Sequence, residues 1–388
     1  MVSHADLGST SGGEANPLTV GEGSDVWGWV SPSGREFACV TQTDGSAFVE
    51  VLPSGEQRFL GRLPTNTVPS LWRDAKNVGP YMFIGSEARN HGVQVFDMRK
   101  LEAFGPRSRP AIFTADAVFT GVGSSHNIVN MADSNYLMVV GQKECSGSPY
   151  IVDIRDPLNP KKVGCQSNLD GYSHDAQVIR YSGPDSRYTG REIVISYNED
   201  TLTIYDATVK DNLRVVSRTG YEGAQYTHQG WLVDGAQTHI LMNDELDEIE
   251  GTTPEGGRTA TLVWNISDLE KPVQEGIFSS PATSIGHNAY PKDGYSYASN
   301  YCSGLRVTDT RQVNSGGGAA SMKEVAFFDV RPEDDSVEFF GAWSHFIFPS
   351  GWIAVNSIER GSFIVRVQPG VLASGGKKGG PKGPKGPK

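Results

Sequence analysis

The run YIVDIRDPLNP, Tyr150 to Pro160, reads as a short apolar strand that reaches an acidic residue and drops into a proline-bounded turn. Its core pattern recurs as AFVEV (47–51), VQVFD (93–97), YIVDI (150–154), LTIYD (202–206), TLVWN (261–265), LRVTD (305–309) and FIVRV (363–367). The aligned Asp-like positions are Glu50, Asp97, Asp153, Asp206, Asn265, Asp309 and Arg366, spaced 44 to 59 residues apart. Upstream of each lies another apolar run, such as EFACV, PYMFIG, NYLMVVG or EIVISY, and downstream of most lies a further one, such as QRFLGRL, PKKVGC, LRVVSRTG or PVQEGIF. Repeats of this length with about four short strands each mark the blades of a propeller. The sequence predicts an all-β, single-domain, seven-bladed β-propeller of four-stranded blades. The last repeat lacks an outer strand, and the segment before Asp25 is expected to supply it and close the ring.

A chain of 388 residues would otherwise suit two or three domains. A ring absorbs the length, because each blade buries its faces against its neighbours. The 46 glycines and 22 prolines fit many tight turns, and helical periodicity is nearly absent. The expected layout is a flexible segment over 1–24 that contributes the closing strand, a propeller over 25–369 and a disordered Gly/Pro/Lys-rich tail over 370–388. The net charge is −11, and the body is more acidic still once the tail lysines 377, 378, 382, 385 and 388 are set aside. That balance argues against nucleic-acid binding. No apolar run is long enough to predict a membrane-spanning helix. P-loop, dinucleotide-glycine, HExxH and nucleophile-elbow motifs are lacking, and the chain is expected to be monomeric or weakly associating.

Of the four cysteines, Cys145 and Cys165 flank a strand–turn–strand segment whose ends a hairpin would bring together. A disulfide and an oxidising compartment follow from that reading; two free buried thiols are the alternative. Asn265-Ile266-Ser267 matches a glycosylation acceptor but sits in a strand-like run, which argues against its use. The N-terminus, MVSHADLGSTSGGEANP, has no secretory-leader pattern, so the chain is expected either to be intracellular or to begin after a removed leader.

YIVDIRDPLNP resembles the LVIVD repeat. Together with DVWGWVSPSGREFACV, SSHNIV, SHDAQ, NEDTLTIYD, GYEGAQYTHQGWL, NDELDE, SGLRVTD and FPSGWIAVNSIERGSFIV, it makes most of residues 25–367 similar to the choice-of-anchor B family of secreted or surface-attached LVIVD propellers. The resemblance implies a propeller in an extracellular or cell-surface setting and supplies no established activity. The family's anchoring segment is not found in this sequence, and the lysine-rich tail is its own.

Four of the eight histidines share one context: Ser-His126-Asn, Ser-His174-Asp, Thr-His228-Gln and Gly-His287-Asn. Each opens the first strand of its blade, and first strands line the central channel. Equivalent positions on consecutive blades therefore converge on the axis. His126, His174, His228 and His287 are the candidate ligands of one Cu, Fe or Zn ion, since imidazole suits all three. Trp343-Ser-His345 offers a further histidine at the matching place in blade 7, and Trp72-Arg73-Asp74 its counterpart in blade 2. His345, Asp175 and Asp74 are candidate acid/base groups. Arg73, Asp74, Asp175, Trp29, Trp72, Trp343, His345, Glu199 and Glu245 are candidate supporting or pocket residues. Strand alternation turns Asn127, Asp175, Gln229 and Asn288 away from the histidines, toward blade packing. The competing reading makes the histidines a hydrogen-bonding device copied with the repeat.

Two functions follow. One is a secreted or surface propeller with a histidine-lined metal site, acting as a metal-dependent oxidoreductase or hydrolase on a small-molecule or glycan ligand at the channel mouth. The other is a non-catalytic extracellular binding or adhesion scaffold with a structural histidine cluster.

Overall fold

The computed structural model describes residues 3–5, 21–165 and 170–372. Nearly all of the tail and most of the N-terminal segment lie outside these described residues. Seven sheets contain antiparallel strands, and in six of them spatial order follows chain order. The inner strands are Gly23–Val30, Arg73–Val78, Asn127–Met131, Asp175–Arg180, Thr227–Leu232, Asn288–Lys292 and Ala342–Ile347, defining blades 1 to 7. Each touches the inner strand of the next blade, and the seventh touches the first, so the ring is closed. The repeat marker falls on the third strand of blades 1 to 6 and one residue beyond it in blade 7, where the strand is Gly361–Val365.

The outer strand of blade 7 is Ser3–Ala5, which pairs antiparallel with Gly361–Val365. His4 stacks on Phe363 with ring centroids 4.2 Å apart. Backbone hydrogen bonds thus join the two ends of the chain in one sheet. Blade 1 carries an added short strand, Ala111–Ile112, parallel to Gln57–Pro64.

The core lies between blades. Phe83 and Val95 of blade 2 pack against Ile128, Val139 and Val152 of blade 3, and Val40 and Val49 of blade 1 against Ala354 and Ile364 of blade 7. Middle strands are buried on both faces, which is why they read as continuous apolar runs. The Cys145–Cys165 disulfide is formed, with Cα atoms 5.6 Å apart. Asn265 is half-buried, and its amide donates to Glu275 Oε1 at 2.8 Å.

Inner strands pose a particular problem. Their channel-side edge has no neighbouring strand, and buried backbone groups need partners. Side chains of adjacent blades supply them. Asp25 Oδ2 accepts from Ala75 N at 3.2 Å, and Asp74 Oδ2 from Ile128 N at 2.7 Å. Asn127 Nδ2 donates to His174 O at 2.9 Å, and Gln177 Oε1 accepts from Leu232 N at 2.9 Å. Gln229 takes both groups of Ala289, accepting from its N at 3.0 Å and donating to its O at 3.3 Å. Asn288 donates to Trp343 O, and Asn356 closes the circle on Ser24 O.

Two outcomes are expected. Replacing Gln229 by Ala strands the Ala289 amide and carbonyl and should cost about 2–3 kcal/mol, read from urea unfolding. Replacing Cys145 and Cys165 by Ser opens a loop of 20 residues and should cost about 3 kcal/mol in the same assay.

Candidate metal centre

In an antiparallel blade, the start of the inner strand and the turn between the second and third strands lie at the same end of the sheet. The four histidines occupy the first position on blades 3 to 6. Glu87, Glu199 and Glu245 occupy the second on blades 2, 4 and 5. Topology therefore delivers imidazoles and carboxylates to one mouth of the channel.

The rings form a continuous arc. Centroids are 4.2 Å apart for His126 and His174, 4.0 Å for His174 and His228, and 4.4 Å for His228 and His287. Glu245 Oε1 lies 3.6 Å from His228 Nε2 and 3.5 Å from His287 Nε2. The Tyr301 hydroxyl donates to the same oxygen at 2.7 Å. One ligand atom each of His174, His228 and Glu245 lies within 4.8 Å of the others, and these three could hold a metal ion. An ion about 2.1 Å from N and O donors sets tetrahedral donors about 3.4 Å apart, close to the two Glu245 spacings.

Hydrogen bonds fix the imidazole tautomers. His174 Nδ1–H donates to His228 O at 2.8 Å, and His287 Nδ1–H to Trp343 O at 2.5 Å. Both leave Nε2 as the lone-pair nitrogen. His126 Nδ1 bonds Glu87 Oε1 at 2.6 Å. His228 Nδ1 is buried with no partner among the described residues. Such outer bonds on Nδ1 orient metal-binding histidines. Burial, with neighbouring imidazoles, holds His174 and His228 well below the ordinary histidine pKa, and burial takes His287 down to about 3. These rings are neutral and competent as ligands near pH 7. Burial pushes Glu245 up to about 7.

Beside the ring the channel becomes ionic, in a cavity of about 20 Å³ that Asp74, Lys76 and Asp175 line together with the histidines. Lys76 Nζ lies 3.0 Å from Asp25 Oδ2 and 2.6 Å from Asp74 Oδ1. Burial opposes the Lys76 charge, but the two carboxylates outweigh it and raise its pKa. Burial likewise opposes the Asp25 charge, yet Lys76 holds that carboxyl below its ordinary range, while burial lifts Asp74. Asp74 is therefore a partner of Lys76 and of the Ile128 amide, not a counter-charge to Arg73 or a member of the histidine–carboxylate group. The Arg73 guanidinium leaves the channel, donating to Gln42 O at 3.0 Å and Thr65 Oγ1 at 2.8 Å, and meeting His91 Nε2 at 2.8 Å. Asp175 faces this ionic waist, accepts from its neighbour Ala176 N at 2.7 Å, and is raised by burial to about 6.

His345 does not match the other histidines. The bulge between Thr227 and Gln229 carries His228, and the equivalent bulge between Ala342 and Ser344 carries Trp343. Trp343 thus takes the ring position, edge-on to His287 at 5.2 Å, and His345 falls two residues further along the strand. It bonds Ser299 Oγ at 2.9 Å and lines a separate cavity of about 190 Å³ toward the other end of the channel, with Trp27, Trp231 and Tyr290. Trp29 packs on Phe37 in the core between blades 1 and 2. Trp72 and Trp343 line the mouth. Glu199 stands on the same rim in a left-handed turn (φ 55°); burial raises the pKa values of nearby Tyr172 and Tyr226, and Glu199 adds to that. Sequence reasoning missed Asp25, Lys76, Tyr290 and Tyr301. Only Lys76 had a local signal, two residues after Asp74 on the same strand face.

No protein-family model matches the sequence, and no curated protein matches it at a significant level. The LVIVD resemblance is thus carried by its motifs alone. Solved structures do match. The hydrazine synthase of Kuenenia stuttgartiensis is 12% identical, with a TM-score of 0.61 over 92% of this chain and 99% of that one. The WD40 β-propeller domain of Doa1 is 10% identical, with a TM-score of 0.57 over 91% and 95%. The computationally designed Ika8 protein is 10% identical, with a TM-score of 0.50 over 89% and 83%. At these identities the likeness concerns the fold. Fold and site together define a seven-bladed β-propeller protein with a His/Glu cluster able to hold a metal ion.

One pH dependence follows from the buried His91, which burial, and then Arg73, takes down to about 4. Below about pH 6.5 the unfolded chain binds a proton that native His91 refuses. Its contribution therefore destabilises the fold progressively as pH falls from 6.5 to 4 and levels off below. Between pH 7 and pH 5 this amounts to about 2 kcal/mol, and His91→Gln should remove that much of the pH slope in denaturant titrations.

Proposed function

We propose that this protein is a metalloprotein that binds one transition-metal ion at the channel mouth and uses it as a metal-dependent hydrolase or oxidoreductase. The observation that carries the reading is the convergence of His174, His228 and Glu245 within 4.8 Å. His287 stands as a further ligand through its 3.5 Å approach to the same carboxylate oxygen, and His126 flanks the arc. Two imidazoles with one carboxylate suit Zn or Fe(II), and a third imidazole keeps Cu(II) in the set. Such an ion supplies Lewis acidity and an acidic bound water. The chain's own residues do the rest. The carbonyls of His228 and Trp343 aim the Nε2 atoms, Tyr301 holds Glu245, and Trp72, Trp343 and Phe339 limit water at the mouth. Asp175, Asp74 and Lys76 form a polar layer beside the ring. The extracellular or cell-surface setting implied by the LVIVD motifs belongs to this proposal, supported by the Cys145–Cys165 disulfide.

A second reading, a non-catalytic scaffold, is favoured by one observation. The Nδ1–H bonds of His174 and His287 run to the next blade and so fasten the ring without any ion.

Elemental analysis separates the two. Protein dialysed against Zn, Fe(II) or Cu(II) should retain about one equivalent of a metal. His228→Ala and Glu245→Gln should each weaken that binding by at least about tenfold, the range seen when ligands or their supports are lost. Wild-type protein that binds none of the three metals, with an unchanged melting temperature, would establish the scaffold.

A further inference from the structure

The cavity above the histidine ring has about 250 Å³ of space and two chemically distinct sides. Its floor is polar, made of the four histidines and Glu245. Its walls are Leu71, Trp72, Tyr301, Phe339, Trp343 and Ile358. From these walls we infer that the site takes a small uncharged compound built on one aromatic ring. This deepens the metal-site reading by naming the substrate class of the same site, and rests on that reading only for what the ring would do there.

Three observations carry it. The first is exposure. Trp72 is 47% exposed and Phe339 45%, so two large apolar side chains stand in water at a polar mouth where neither completes the core. Exposed aromatic surface rimming a concave polar floor marks a ligand site rather than a packing need. The second is rigidity. Phe339 meets Tyr301 edge-on at 5.3 Å, Tyr301 meets Trp343 at 6.1 Å, and Trp343 meets His287 at 5.2 Å. One wall is thus a connected series of rings that runs from solvent to the proposed ligands. Its order is fixed before binding, so a flat apolar guest costs little entropy.

The third is size and charge. A cavity of about 150 Å³ takes benzene, so this one fits a single ring with a short substituent and is too small for an oligosaccharide or peptide. None of the described residues lining it is lysine or arginine, whereas Glu245 lies in the floor and Glu87 and Glu199 stand on the rim. In the ion-free site an anionic guest meets repulsion with no compensating cation from the chain. An uncharged ring can place a hydroxyl against Glu245 and the imidazole nitrogens, and its apolar face against Trp72 and Phe339.

The test is calorimetric titration of the chelator-stripped full chain with p-cresol, 4-methylbenzoate and maltotriose. Saturable binding of p-cresol is expected, at least tenfold tighter than that of 4-methylbenzoate, with no binding of maltotriose. Trp72→Ala and Phe339→Ala should each weaken p-cresol by about tenfold. Both side chains are exposed, so the variants should keep the wild-type melting temperature. Phe327→Ala, which removes a ring exposed elsewhere on the surface (63%), should leave the affinity unchanged. Benzoate binding as tightly as cresol, or cresol affinity indifferent to Trp72→Ala and Phe339→Ala, overturns the inference. The two readings fail separately. Cresol binding in a protein that takes up no metal supports the pocket and removes the metal. A metal equivalent with no saturable cresol binding removes the pocket and leaves the metal reading standing.

Discussion

Every blade of this protein must hide one strand edge that has no strand to pair with. Most residues of the inner strands are buried, so their amides and carbonyls need partners from the neighbouring blade. Asp25, Asp74, Asn127, Gln177, Gln229, Asn288 and Asn356 meet that need, each reaching an adjacent inner strand. The ring is therefore held by directional bonds at its hub as well as by apolar packing further out. Polar side chains at the hub, six of them on inner strands and Asn356 on the second strand of blade 7, are a requirement of the architecture before they are a feature of any site.

The candidate metal centre grows out of that constraint. Carbonyls at the start of one inner strand fix the Nδ1 protons of histidines on the preceding blade, which turns the Nε2 atoms to the axis. The acidic turns arrive at the same end because antiparallel blades return there. Polarity then changes along the channel: a His/Glu mouth with aromatic walls, an ionic waist of Asp25, Asp74, Lys76 and Asp175, and an aromatic cavity at the far end. The Lys76 and Asp25 charges in the waist survive burial because ammonium and carboxylate compensate one another at 3.0 Å.

Much of this was legible in the residues. Seven apolar runs with a common polar marker, acidic in five of them, placed the third strands, and runs on either side placed their partners. The Ser/Thr/Gly-His-polar motif identified four of the rings in the arc. The disulfide followed from a hairpin flanked by cysteines. Where the reading slipped, the cause was register. Trp343-Ser344-His345 matches the motif if its second histidine-like position is counted from His345, but a bulge between Ala342 and Ser344 gives the ring position to Trp343. A bulge inserts one residue without altering the hydrophobic pattern, so nothing in the local sequence announces it. Arg73 lines the narrow stretch of the channel, and its long side chain runs back to Thr65 and His91.

The sequence by itself determined the number of blades, the strands that build them and which residues begin each inner strand. Those properties depend on periodicity and on turn chemistry, which act over a few residues. Tertiary structure alone decided that Glu245 would stand 3.5 and 3.6 Å from two histidines, that Lys76 would sit between Asp25 and Asp74, and that Tyr301 and Phe339 would wall the mouth. Apart from Lys76 with Asp74 and Glu245 with His228, these partners come from different blades, and only the packing of blade on blade sets the distances between them.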